Sequence, residues 1–205
     1  SSCDKKIDTE KYENTVVLID ISDPLDEPSK IALQAYGKKI INGLGGGHRL
    51  AIYTIDNDSI GNEKPEHEDC KPSFNRFAGG EYKKRELKKF SQPITTKIER
   101  ISETSRESQS SPLIEKIFKI SYREFVGPQG QLIKGKLILI SDFIQNTQLL
   151  SFYGTVPKYS EWRVSQKAKN WEMKFDDVIA QMITINSSSL QEGKKQRSVE
   201  EFWAK

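Results

Sequence analysis

Thr15–Val16–Val17–Leu18–Ile19–Asp20–Ile21–Ser22–Asp23–Pro24 is an apolar, β-branched run that stops at a carboxylate and a hydroxyl. A second run, Lys136–Leu137–Ile138–Leu139–Ile140, ends the same way at Ser141–Asp142. Continuous apolar runs of this length read as strands buried on both faces, the usual state in a parallel sheet. Two such strands would deliver an Asp and a Ser each to one edge. In open α/β sheets that edge, beyond the carboxyl ends of the strands, is where ligands bind, and Asp and Ser oxygens there suit a hard divalent cation.

Between and around these runs the chain alternates strand and helix signals. A helix is expected at 28–44, opened by Pro28–Ser29, carrying Ile31, Ala35, Ile40, Ile41 and Leu44, and ended by Gly45–Gly46–Gly47. The triple glycine lacks the Gly-Lys-Ser/Thr of a phosphate loop and leads into a strand, so it reads as a helix stop. Strand 49–55 follows, then an irregular polar stretch at 56–80. A helix over 81–105 should break or kink at Pro93. Ser111–Pro112 reads as N-cap and first turn of the next helix. After strand 136–140 come a loop at 143–160, a helix at about 161–175, a strand at 178–185 and a C-terminal helix with Val199, Phe202 and Trp203. The alternation predicts an α/β fold, a three-layer sandwich whose mostly parallel central sheet is flanked by helices. Residues 15–205 read as one domain and 1–14 as a flexible leader or tether.

Composition narrows the function classes. The chain has 205 residues, 35% of them hydrophobic and 30% charged, enough for one substantial core. Its 32 basic and 29 acidic residues give a net charge of +3, with no basic tract interleaved with stacking aromatics, so a nucleic-acid partner is not expected. The densest charge run, 83–89, reads as a solvated helix face. No apolar run approaches the roughly 20 residues that span a bilayer. Of the two cysteines, Cys3 and Cys70, the second stands near His67, but a pair of soft ligands without a second pair makes a poor zinc site. Ser1–Ser2–Cys3 followed by a polar stretch leaves two readings open: a lipid-carrying Cys3 with 4–14 as a tether at a bacterial envelope, or an ordinary cysteine in the leader of a cytoplasmic protein.

Asp20-x-Ser22 after the first strand, Ser111–Pro112–Leu113–Ile114–Glu115–Lys116–Ile117 at the head of a middle helix, and Ser141–Asp142 after a later strand together resemble the three loops of a von Willebrand factor type A domain. The resemblance covers roughly 13–190 and extends to bacterial proteins with this type of domain. In that family the loops form a metal-ion-dependent adhesion site, usually holding magnesium. The resemblance therefore implies Asp20, Ser22, Ser111 and Asp142 as metal ligands and Mg as cofactor. Pro24 stands where the family's first loop has a second serine, and Ser111 stands where its second loop has a threonine. Asp23 offers a spare carboxylate, Ser141 a hydroxyl, and Phe152 and Tyr153, just past the third loop, are placed to frame an acidic side chain of a partner.

Two function classes follow. The first is a non-enzymatic binding or adaptor module that grips another protein at the Asp20/Asp142 edge. The second is a metal-dependent hydrolase or phosphatase using Asp20, although such phosphatases carry Asp-x-Asp where this chain has Ser22. With only His48 and His67 available, no Ser-His-Asp set is expected. A metal-free alternative also stands, with Asp20 and Asp142 merely capping backbone N–H groups at the strand ends.

Overall fold

Alternate side chains of the apolar runs point to opposite faces of one sheet, and each face is covered by its own helices. The computed structural model describes residues 14–55, 64–104, 110–185 and 193–204. Strands β1 (Asn14–Asp20), β2 (Arg49–Ile55), β3 (His67–Cys70), β4 (Gly135–Ser141) and β5 (Val178–Thr184) are hydrogen-bonded in the order β3-β2-β1-β4-β5. Only β3 runs antiparallel to its neighbour. The expected α/β class with a mostly parallel central sheet between helical layers is what forms.

One layer holds α1 (Glu27–Gly43) and α2 (Gly80–Glu103), whose Leu33, Ile41, Phe90, Ile94 and Ile98 bury Val17, Ile19, Ile52, Ile138 and Ile140. The other holds α3 (Leu113–Phe125), the short α4 (Tyr159–Arg163) and α5 (Gly193–Trp203); here Ile114, Ile117, Ile120, Phe125 and Phe202 bury Val16, Leu18, Ala51, Leu137 and Leu139. Neighbouring residues of each central strand thus serve different cores. α1 and α2 approach closely at Gly37, where an added Cβ would lie 2.5 Å from the Cδ1 of Ile98.

Several local expectations are corrected. The 56–80 stretch is not wholly irregular: residues 67–70 pair with β2 as β3. α2 passes through Pro93 without interruption. Pro93 and Lys89 are both exposed, so the carbonyl freed by the missing N–H meets water. The helix read over 161–175 shrinks to α4, followed by turns over 164–170. The polar run 165–170 has no apolar face to bury, while Trp162, Trp171, Met173 and Phe175 each lean separately on the α3/α5 core. Asn14, assigned to the leader, instead begins β1. Residues 1–13 lie outside the described residues, and with them Cys3 and its lipidation.

At the N-terminal ends of the strands lies a buried polar knot. Arg49 donates from Nη1 to the Glu124 carboxylate (2.5 Å) and to Asn14 Oδ1 (2.6 Å). The Tyr53 hydroxyl also donates to Glu124, and Asn14 Nδ2 donates to the Glu124 carbonyl at 2.9 Å. The knot fastens the end of α3 to β1 and β2, at the edge opposite Asp20.

Candidate functional site

In a sheet ordered 3-2-1-4-5 the chain leaves β1 in one direction and returns to β4 on the other side, so the carboxyl ends of β1 and β4 flank the topological switch point. Asp20 closes β1 and Ser141 closes β4. Strand termini therefore place both at the crevice.

Asp20 is 6% exposed and gathers hydroxyls from three loops. Its Oδ1 accepts from the Ser22 backbone N–H (3.0 Å) and from Ser22 Oγ (2.7 Å). Its Oδ2 accepts from Ser141 Oγ (2.8 Å) and from Ser111 Oγ (3.2 Å). Burial pushes the Asp20 carboxyl above its ordinary range, and the bonds from Ser22, Ser141 and Ser111 pull only part of the way back. Asp142, also buried, turns Oδ1 to the backbone N–H of Ile144 at 2.9 Å. Asp23 sits half-buried in the loop after β1.

Ser111 is not the N-cap of α3, because its backbone is taken elsewhere. It exchanges two hydrogen bonds with Asn146, both 3.0 Å, which ties the second loop to the third and turns the hydroxyl to Asp20. Pro112 occupies the cap position with no side-chain bond. The α3 N-terminus is capped from a distance instead: Gln145 Oε1 accepts from the Ile114 N–H at 2.8 Å. Gln145 Nε2 donates to Glu115 Oε2 and Thr147 Oγ1, each at 2.9 Å, and Thr147 donates to Glu115 Oε1 at 2.6 Å. Sequence reading missed Gln145, Glu115 and Thr147. The available signal was an amide standing directly after the apolar pair Phe143–Ile144, at the entry to the third loop.

The third loop holds one unusual backbone. Phe143 has φ 63°, in the left-handed region that a bulky side chain rarely adopts. Its N–H donates to Ser141 Oγ at 2.7 Å, and its carbonyl accepts from Trp203 Nε1 of α5 at 2.9 Å. Phe152 does not frame the edge as expected. It is fully buried, packed edge-on against Phe202 with ring centroids 5.0 Å apart, because α5 closes over it. Tyr153 remains half exposed.

The donors at this edge are the carboxylates of Asp20 and Asp142 and the hydroxyls of Ser22, Ser111 and Ser141. All are hard oxygens, the class magnesium takes. Among the described residues no three His, Cys, Asp or Glu side chains cluster to hold a metal. His67 and Cys70 stand three apart on β3 and so point to opposite faces of the sheet. No helix among the described residues is long and apolar enough to cross a membrane. No protein-family model and no curated protein matches this chain.

Proposed function

We propose that this protein is a binding module of the von Willebrand factor type A kind, which grips an acidic side chain of a partner protein at the Asp20/Asp142 edge. The observation that carries this reading is the convergence of serine hydroxyls from three separate loops on one buried carboxylate at the topological switch point. A fold needs no such convergence to satisfy one Asp; two backbone N–H groups would do.

Four accepted hydrogen bonds fill the capacity of a carboxylate. Asp20 is thereby an orienting group: it takes the hydroxyl protons and leaves oxygen lone pairs of Ser22 and Ser111 free to face a ligand. The oxygen-only donor set fits magnesium, with Ser22, Ser111 and Asp142 holding the ion and Asp20 supporting them. Bound there, the ion would supply a positive charge with coordination positions open to a partner carboxylate. Pro24 leaves this set one hydroxyl short of the family pattern. The enzymatic alternative has less support, since a carboxylate enclosed by four donors is a poor nucleophile and no second acid stands at residue 22.

Calorimetric titration of magnesium and manganese, with thermal shift alongside, tests the reading on the native protein and on Asp20→Ala combined with Asp142→Ala. A ligand that binds only the folded state raises its stability, by about 2.7 kcal/mol at a hundredfold excess over Kd. Expected are binding to the native protein and none to the double variant. Absence of binding to a natively folded wild type would overturn the metal-dependent form.

A further inference from the structure

β5 ends the sheet. Among the described residues no strand pairs with its outer edge, so its outward N–H and C=O groups form a template for another strand. The two edges of this sheet are built differently. β3 is four residues long, carries Glu68 and Asp69, and has α2 packed beside it. Val178–Thr184 is seven residues long, uncharged, and free of Pro and Gly. Its Ile179 is 67% exposed and its Met182 42% exposed. Charge, shortness and proline are the devices that keep an edge from pairing, and β5 has none of them.

We propose that β5 pairs with β5 of a second copy of this chain, in antiparallel register about Gln181, to join two sheets into one of ten strands. The strand is its own complement. A twofold axis normal to the sheet through Gln181 gives the fullest overlap of the seven residues and keeps the same helical layers on the same side of both sheets. It sets Ile179 opposite Ile183 and Met182 opposite Ala180, each pair occurring twice. The large Met182 side chain therefore meets the small Ala180. On the α1 side a trough of about 280 Å³, with Tyr36, Ile40 and Gly43 along its helical wall, has Gln181 and Ile183 in its floor. The exposed Ile179 of the other copy lies at the mouth of that trough. The strand itself brings no charge to the seam, and Lys39 and Lys136, which also line the trough, sit beside it on each copy.

Sedimentation velocity across a wide concentration range, on the 205-residue chain, reads the state directly. Expected is a dimer whose Kd rises by roughly a hundredfold or more in Ile179→Lys, the scale of burying an unpaired charge. Circular dichroism confirms that this exposed substitution leaves the fold intact. Residues directly opposite in an antiparallel pair have Cα atoms about 4.5–5.5 Å apart, within disulfide reach. Gln181→Cys should therefore cross-link to itself on oxidation, whereas Ile31→Cys, on an exposed position of α1, should not. A monomer at every concentration overturns the proposal. So does a dimer that tolerates Ile179→Lys and fails to cross-link through residue 181.

Discussion

Ser141 both donates to Asp20 and accepts from the strained Phe143 backbone, so a single hydroxyl holds the carboxylate and the loop beyond it. Ser141→Ala leaves two buried groups each short of a partner, and the expected loss is about 2 kcal/mol of unfolding free energy by urea titration. The Glu124 knot makes a second residue-scale prediction, this one dependent on pH. Burial alone would raise the Glu124 carboxyl, but the Arg49 guanidinium and the bonds from Arg49 and Tyr53 outweigh it and hold the carboxyl below its ordinary value. Its stabilisation is then fully present above the unfolded carboxyl pKa, about 4.3, and is lost as pH falls through the lower folded value. Glu124→Gln should cost about 1.5–3 kcal/mol at neutral pH, because it removes the more buried of the two carboxylates paired with the half-buried Arg49, which keeps only Glu68. The gap to wild type should narrow in urea titrations as the pH is lowered below the ordinary carboxylate range, since the wild-type carboxyl then begins to lose its charge as well. Asp20, Ser22 and Asp142 were legible as residues ending or following apolar strands. Ser141 was legible as a neighbour but not as a partner of Asp20, since that bond spans 121 positions of sequence.

Among the elements, those with a strong apolar period were readable: β1, β2, β4, β5 and α1 stand within a few residues of their expected bounds. What failed depended on distant groups. β3 has no apolar run and exists because the edge of β2 offers a ladder. The helix read over 161–175 stops at Arg163 because Trp171, Met173 and Phe175 beyond it find separate seats on a core assembled elsewhere. The start of α3 looked locally capped by Ser111, yet Gln145 caps it from 31 residues away and releases Ser111 for the site. Gln145→Met, close in shape, removes the cap and both amide donors; a loss of about 1–2 kcal/mol is expected, read as a lowered Tm. Combined with Glu115→Gln, the two losses should add to less than their sum, since both act on one network.

At the scale of the molecule, both cores share the central strands, so neither layer has a separate sheet to stand on. Trp162, Trp171 and Trp203 all lean on the α3/α5 core, whereas the long helices α1 and α2 belong to the other. Tryptophan emission therefore follows one layer and far-ultraviolet circular dichroism follows both. If the shared strands make the layers cooperative, the two signals should trace one coincident urea transition; an earlier fluorescence change would show the α3/α5 layer melting by itself. Trp203 gives this layer a further significance. Its indole holds the carbonyl of Phe143, the residue whose N–H rests on Ser141 and through it on Asp20. Proteolytic clipping within the last turn of α5 would thus reach the Asp20/Asp142 edge without touching any of its residues, and an assay of the proposed binding run on clipped protein would measure the state of that turn.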